Sequence, residues 1–148
     1  MLLAVALALA ACGGSSAKKL PAKPLYAGGP WAVVVEGGKA TAYHEKGRDW
    51  QPDTAGKVKI EVLGPKPGST QPSTPQVAVQ LSADAPLVES GMWVDGKELV
   101  VKGGGVKPSV GTIYGAPDGP LAKGTHTAVA YGRTDTHAGA VAWTFRVG

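Results

Sequence analysis

From Lys57 to Gly148, apolar and polar positions alternate in short runs separated by turn residues. The run "KVKIEVL" sets Val58, Ile60 and Val62 against Lys57, Lys59 and Glu61, and "QVAVQLSAD" sets Val77, Val79 and Leu81 against Ala78, Gln80 and Ser82. The closing run "GAVAWTFRVG" puts Val141, Trp143, Phe145 and Val147 on one face. A period of two over such lengths predicts strands with one face in a core. "LVESGMWVDGKELVV" reads as a strand, an Asp95-Gly96 turn and a second short strand, while "VGTIYGAP" and "GTHTAVAYGR" supply further strands. Prolines in "GPKPGSTQPSTP" bar a central strand there. The "GGG" at 103–105 reads as a loop, and it lacks the Lys-Ser/Thr that completes a phosphate-binding loop. No stretch of helical length carries a 3.6-residue period. About seven strands are therefore predicted across 57–148, the number expected of a small two-sheet sandwich.

Upstream, "WAVVVEGGKATAYH" (31–44) is a hairpin signal, two β-rich runs flanking Gly37-Gly38. Such a loop pairs Glu36 with Lys39. It also places Trp31, Val33 and Val35 on a face with Ala40, Ala42 and His44, leaving Ala32, Val34, Thr41 and Tyr43 on the other. A lone hairpin is marginal in water, so this one must pack against the following strands or against a partner. The connecting "EKGRDWQPDTAG" is polar and rich in turn residues, which sets the boundaries of this unit at 31–56.

The N-terminus differs in kind. "MLLAVALALAA" is apolar throughout (residues 1–11), too short for a membrane-crossing helix, which needs about 20 residues, and of the length of a secretory signal's apolar region. It ends at Cys12, the only cysteine, so no internal disulfide is possible. Residues 12–30, rich in Gly, Ser, Pro and Lys, read as a flexible tether. Composition supports this division. Lys18, Lys19 and Lys23 lie in the tether, so the other 12 of the 15 Lys and Arg residues face 11 Asp and Glu, and the body is nearly neutral. No basic stripe suited to a phosphate backbone remains, which argues against a nucleic-acid partner. With one Phe in the chain, Val, Ala, Trp and Tyr must fill the core, and 22 Gly with 12 Pro suit many short strands joined by turns.

Leu9-Ala10-Ala11-Cys12 closely resembles the lipobox of bacterial lipoproteins. That resemblance implies cleavage before Cys12, a diacylglycerol on its thiol, and a protein held by its lipid on the extracytoplasmic face of the cell membrane or outer membrane. A second resemblance covers 57–147. Pro65-Lys66-Pro67-Gly68, Val94-Asp95-Gly96, Leu121-Ala122-Lys123-Gly124-Thr125-His126 and Trp143-Thr144-Phe145-Arg146-Val147 stand in the order found in bacterial immunoglobulin-like domains. The implied fold is all-β, an antiparallel immunoglobulin-like sandwich of about seven strands without a sheet-bridging disulfide, preceded by the hairpin and the tether.

Candidate chemistry is sparse. His44, His126 and His137 lie in three separate segments, and no serine sits in a G-x-S-x-G elbow. His126 reads as a packing or edge residue and His137 as a turn residue. Periplasmic copper-resistance proteins share a similar sandwich and bind copper through histidines, but here no His-x-His or Met-rich cluster appears, with only Met1 and Met92 present. The expectation is a non-catalytic binding or scaffolding protein of the cell envelope, with no cofactor and no metal site. Its partner would be an envelope protein or a glycan. A copper-handling protein and an accessory subunit of an envelope enzyme complex are the alternatives. Trp143 belongs to the core stripe. If Met92 and Val94 face inward, Trp93 with Tyr114 forms an exposed aromatic patch, the candidate partner contact; otherwise the N-terminal hairpin covers Trp93, which is the favoured reading.

Overall fold

A computed structural model describes residues 17–148. Its thirteen strands form three stacked sheets. The first sheet, in order β1-β2-β3-β4, joins β1 (Tyr26–Gly28), β2 (Trp31–Glu36), β3 (Lys39–Lys46) and β4 (Asp49–Pro52). An outer sheet, in order β10-β11-β7-β5, contains β5 (Val58–Gly64), β7 (Val77–Ala83), β10 (Lys102–Lys107) and β11 (Val110–Gly115). Between them lies the middle sheet, ordered β6-β13-β12-β8-β9, from β6 (Thr70–Gln71), β8 (Glu89–Val94), β9 (Lys97–Glu98), β12 (Gly124–Arg133) and β13 (Ala138–Val147). Pairing is antiparallel throughout except where β6 joins β13 in parallel.

From β5 onward, strand order reproduces the immunoglobulin arrangement: four strands A-B-E-D on one side, and C, F and G on the other. The fold is thus an all-β immunoglobulin-like sandwich. Seven of its strands have six or more residues; β6 and β9 have two each. The predicted faces hold. Val77, Val79, Leu81, Met92, Val94, Ala128, Ala130, Trp143, Phe145 and Val147 fill the core between the outer and middle sheets. Three of the sequence motifs sit at its corners or strand starts, and the fourth, Trp143–Val147, lies within β13. The Gly68 N–H donates to the Thr144 carbonyl at 2.8 Å, and the Trp143 indole donates to the Pro65 carbonyl at 2.9 Å. Asp95 and Gly96, with φ of 50° and 80°, make the mirror-image turn between β8 and β9.

The "GGG" stretch departs from expectation. Residues 103–105 lie in edge strand β10, paired with β11 and irregular between Gly104 and Lys107. Glycine is a poor strand former, so propensity points away from this pairing. Here Gly103, at φ 121°, lies so close to the Thr112 carbonyl that a side chain there would collide with it.

The hairpin forms in the register the Gly37-Gly38 loop dictates, with Glu36 opposite Lys39 and Trp31 opposite His44. It is no appendage. Trp31, Val33, Ala40 and Ala42 pack with Trp93, Val129, Tyr131 and Ala138 into a second core, between the first and middle sheets. β12 therefore buries both faces, Ala128 and Ala130 to one side and Val129 and Tyr131 to the other.

The stretch expected as a tether through residue 30 already belongs to the fold from Lys18 onward. The Lys18 N–H donates to Asp49 Oδ1 at 2.7 Å and the Trp50 N–H to the Lys18 carbonyl at 2.9 Å, so this segment runs against β4 at Lys18. It ends in β1, at the opposite edge of the same sheet. Crossing three strand spacings takes about 14 Å, well within the reach of this extended segment. Along the way Leu20, Ala22 and Pro24 are half-buried while Lys19, Pro21 and Lys23 are exposed. The segment is a strap with one face on the sheet. That crossing accounts for the burial of Ala32 and Val34, which face away from the second core yet are 0% and 2% exposed.

Candidate functional site

Cys12, the expected lipid attachment point, lies outside the described residues. The alternative contact, an exposed patch of Trp93 and Tyr114, does not form, and the favoured reading holds: the N-terminal hairpin covers Trp93. Met92 and Val94 do face inward, but that directs Trp93 into the second core, where it is 4% exposed with its ring 5.7 Å from that of Tyr26. Tyr114 lies on the far side of the sandwich. Its neighbour Ile113 enters the first core, so Tyr114 points out from the outer sheet, 37% exposed.

What surrounds Tyr114 follows from the register. Lys102, Tyr114 and Ala78 stand side by side on β10, β11 and β7, and Leu63, 45% exposed, occupies the irregularity in β5 beside Ala78. The next row is Gly104, Thr112, Gln80 and Glu61. An aromatic and an aliphatic side chain thus flank an alanine floor, with amide, hydroxyl and carboxylate groups one row away. Such a face offers apolar contact and hydrogen bonds together.

A second polar constellation joins two of the sequence motifs. His126 Nδ1 is 2.5 Å from Asp95 Oδ2, and its Nε2 is 2.6 Å from the Ala122 carbonyl. Both partners are acceptors, so both ring nitrogens donate, which only the imidazolium does. The Asp95 hydrogen bond, then that of Ala122, accordingly raise the His126 pKa above its ordinary value. Asp95 also accepts from the Thr127 N–H at 3.0 Å. This arrangement ties the β8–β9 turn to the start of β12, and its groups are all engaged with each other. The reading of His126 as a packing residue stands, with a charge that sequence reasoning had no means of seeing.

His44 of β3 and His137 of the β12–β13 turn, far apart in the chain, come to one cleft of about 190 Å³ that Asp53 also lines. Asp53 Oδ2 accepts from the Ala138 N–H at 2.8 Å and lies 3.2 Å from His137 Nδ1. Burial works to raise the Asp53 pKa, but hydrogen bonds from Ala138, Ala55 and His137 outweigh it and hold the carboxyl below its usual value. His44 stacks on Trp31 with centroids 3.9 Å apart, and burial, then the Lys46 charge, lower its pKa. Arg133 lies over the same Trp31 ring, 5.4 Å from its centroid, and pairs with Glu89 at 2.9 Å. Glu89 in turn accepts from the Tyr26 hydroxyl. Burial, with Glu89 beside it, pushes the Tyr26 pKa up to about 12. These groups clamp β1 and β2 to the middle sheet. Among the described residues no three of His, Cys, Asp and Glu are placed to hold a metal ion.

A groove of about 600 Å³ runs between the start of β8 and the β10–β11 edge over Leu81, Leu87, Val88, Val110 and Ile113. Glu89, Ser90 and Lys107 also line it. Fold and surface together define an immunoglobulin-like sandwich whose middle sheet is covered by a third, N-terminal sheet. No family model and no curated protein matches the chain. Among solved structures it is similar to the endo-β-1,4-mannanase from Thermotoga petrophila, at 10% identity and TM-score 0.49, over 62% of this chain and 20% of that one. It is also similar to PcoC, a copper resistance protein from Escherichia coli, at 21% identity and TM-score 0.36, over 60% of this chain and 96% of that one. The chain thus spans a fifth of the mannanase, and neither resemblance is strong enough to speak of activity.

Proposed function

We propose that this protein is a bacterial lipoprotein, anchored through Cys12 to the extracytoplasmic face of a membrane, whose sandwich is a non-catalytic binding or scaffolding module of the cell envelope. The observation that carries this reading is the position of the only thiol, which ends the apolar run at Leu9-Ala10-Ala11 just ahead of the point where the strap meets β4. The chain's single thiol at the end of such a run is the group a thioether-linked lipid needs. The outer-sheet face around Tyr114 and Leu63 is the surface offered to an envelope protein or glycan. No cofactor is required. The intact mass of the protein extracted from its native membrane tests the anchor. Loss of residues 1–11 with a diacylglyceryl group on Cys12 is expected, and an unmodified Cys12 overturns the assignment. A photocrosslinking residue in place of Tyr114 should capture the partner, and one in place of exposed Lys97 should not.

A further inference from the structure

The strap changes what the three lysines ahead of residue 25 can do. On a free tether they would be solvated charges spread over many conformations. On the strap, Lys19 and Lys23 are fixed on one outward face, and Lys18 is fixed by its backbone against Asp49 and Trp50. The β3–β4 turn adds exposed Arg48 at the same end of the sheet, while Lys46, also exposed, shares the opposite face with His44 and lines the cleft beside it. Two carboxylates face this cluster. Asp49 is half-buried and already accepts the Lys18 N–H, and Glu45, half-buried, stands opposite Trp50. The strap itself contains no acidic residue. The outer surface of the first sheet is therefore a basic plane, in a body otherwise almost neutral. Trp50 and Tyr43 share that face of the sheet, half-buried, as amphipathic aromatics suited to a headgroup layer.

We propose that this strap face is a membrane-docking surface that lies against anionic phospholipid headgroups. The inference rests on the Cys12 anchor as far as geometry goes. Fully extended, the residues between Cys12 and Lys18 reach no more than about 20 Å, and the chain joins the fold at the basic end of the first sheet. A lipid on Cys12 thus holds this plane, rather than the Tyr114 face, next to the bilayer. Near an anionic surface each Lys or Arg strengthens partitioning by about fivefold, and the effect decays over a Debye length of about 10 Å. Four cations, Lys18, Lys19, Lys23 and Arg48, held at one surface act together, where a floating tether would keep most of them beyond that distance.

The experiment uses the full chain carrying Cys12→Ser, so that no acyl chain contributes, sedimented with vesicles of pure phosphatidylcholine or of phosphatidylcholine with phosphatidylglycerol. The apolar 1–11 segment contributes alike to both, and the difference reads the charge surface. A clear preference for the anionic vesicles is expected, falling as salt is raised. Lys19→Gln, Lys23→Gln and Arg48→Gln combined should reduce it at least tenfold with an unchanged urea midpoint, and the three Arg or Lys counterparts should retain it. Equal binding to both vesicles, or a preference that survives the triple substitution, overturns the proposal. So does tighter retention on soluble heparin than on anionic vesicles, which would assign the patch to polyanions in general. The mass of Cys12 in the native protein is a separate readout, so failure of the anchor and failure of the docking surface are distinguishable.

Discussion

Val33 and Val79 are both 0% exposed, one in the core beneath the first sheet and one in the core of the sandwich. Val→Ala at either removes two methyl groups. Transfer of about 0.8 kcal/mol for each, plus the cavity left behind, gives a loss of about 2–3 kcal/mol. If the three sheets unfold as one unit, Val33→Ala and Val79→Ala should lower a single urea transition by the same amount. With a slope of about 2 kcal/mol per molar, that is a midpoint shift of about 1 M. Far-UV circular dichroism and tryptophan fluorescence should agree, since Trp31 and Trp93 report on one core and Trp143 on the other. Val35→Ala, half-buried near the turn, serves as a control with a shift well below half of this. The reasoning fails if Val79→Ala moves the main transition while Val33→Ala leaves it in place and adds an earlier one. That outcome would make the first sheet a separately melting layer.

Three further substitutions probe the joints of the fold. A Cβ on Gly139 would stand 2.7 Å from the Val58 carbonyl, a backbone atom that cannot swing aside, so Gly139→Ala should cost about 1–3 kcal/mol by thermal melting; a neutral result would refute so close an approach of β13 to β5. Arg133→Met leaves the half-buried Glu89 carboxylate without its cation and should cost about 1–2 kcal/mol in urea unfolding, most of it recovered by adding Glu89→Gln. Failure of that recovery would show that the pair is not the source. Because the folded-state pKa of His126 is raised above 6.5, its stabilisation is complete below that value and is lost as pH climbs through the raised one. The gap in urea midpoint between wild type and His126→Gln should accordingly narrow as pH rises from below 6.5 through the raised pKa, and a widening gap would contradict the assignment of a charged ring.

Much of this fold is legible in the sequence because local rules set it. Two glycines between β-rich runs specify the hairpin register, and period-two alternation specifies the inward faces of β5, β7 and β13. Less legible was burial on both faces. In "TAVAYG" and "GMWV" neither parity is polar, which is the composition of a strand covered on two sides, but such runs are too short to say what the second cover is. Trp93 is the consequence: from its own segment it could face solvent or a covering layer equally well. The strap was hidden because prolines and lysines give the same composition to a flexible linker and to an extended segment pinned on a sheet. Only Leu20, Ala22 and Pro24, small or modest apolar residues at alternate positions, hint at the difference. The Asp53–His137 and Asp95–His126 pairs carry no local signal at all, since each joins residues dozens of positions apart through tertiary packing.

The covering layer also decides where recognition can occur. In a two-sheet sandwich both outer faces are open to partners. Here the chain spends its first strands closing one of them, with Ala40, Ala42, Ala138 and their neighbours small enough for β3 to lie close upon β13, and with Trp31, Trp93, Tyr131 and Tyr26 filling the wider end. The polar clamp of Glu89 and Arg133 then fixes that wider end. What remains open is the outer sheet, and its exposed Tyr114 and Leu63 lie on the side opposite the strap. Stacked sheets are about 10 Å apart, so Tyr114 stands roughly two sheet spacings beyond the first sheet. Under the proposed anchorage, the layer that closes one face also turns the other outward, away from the bilayer.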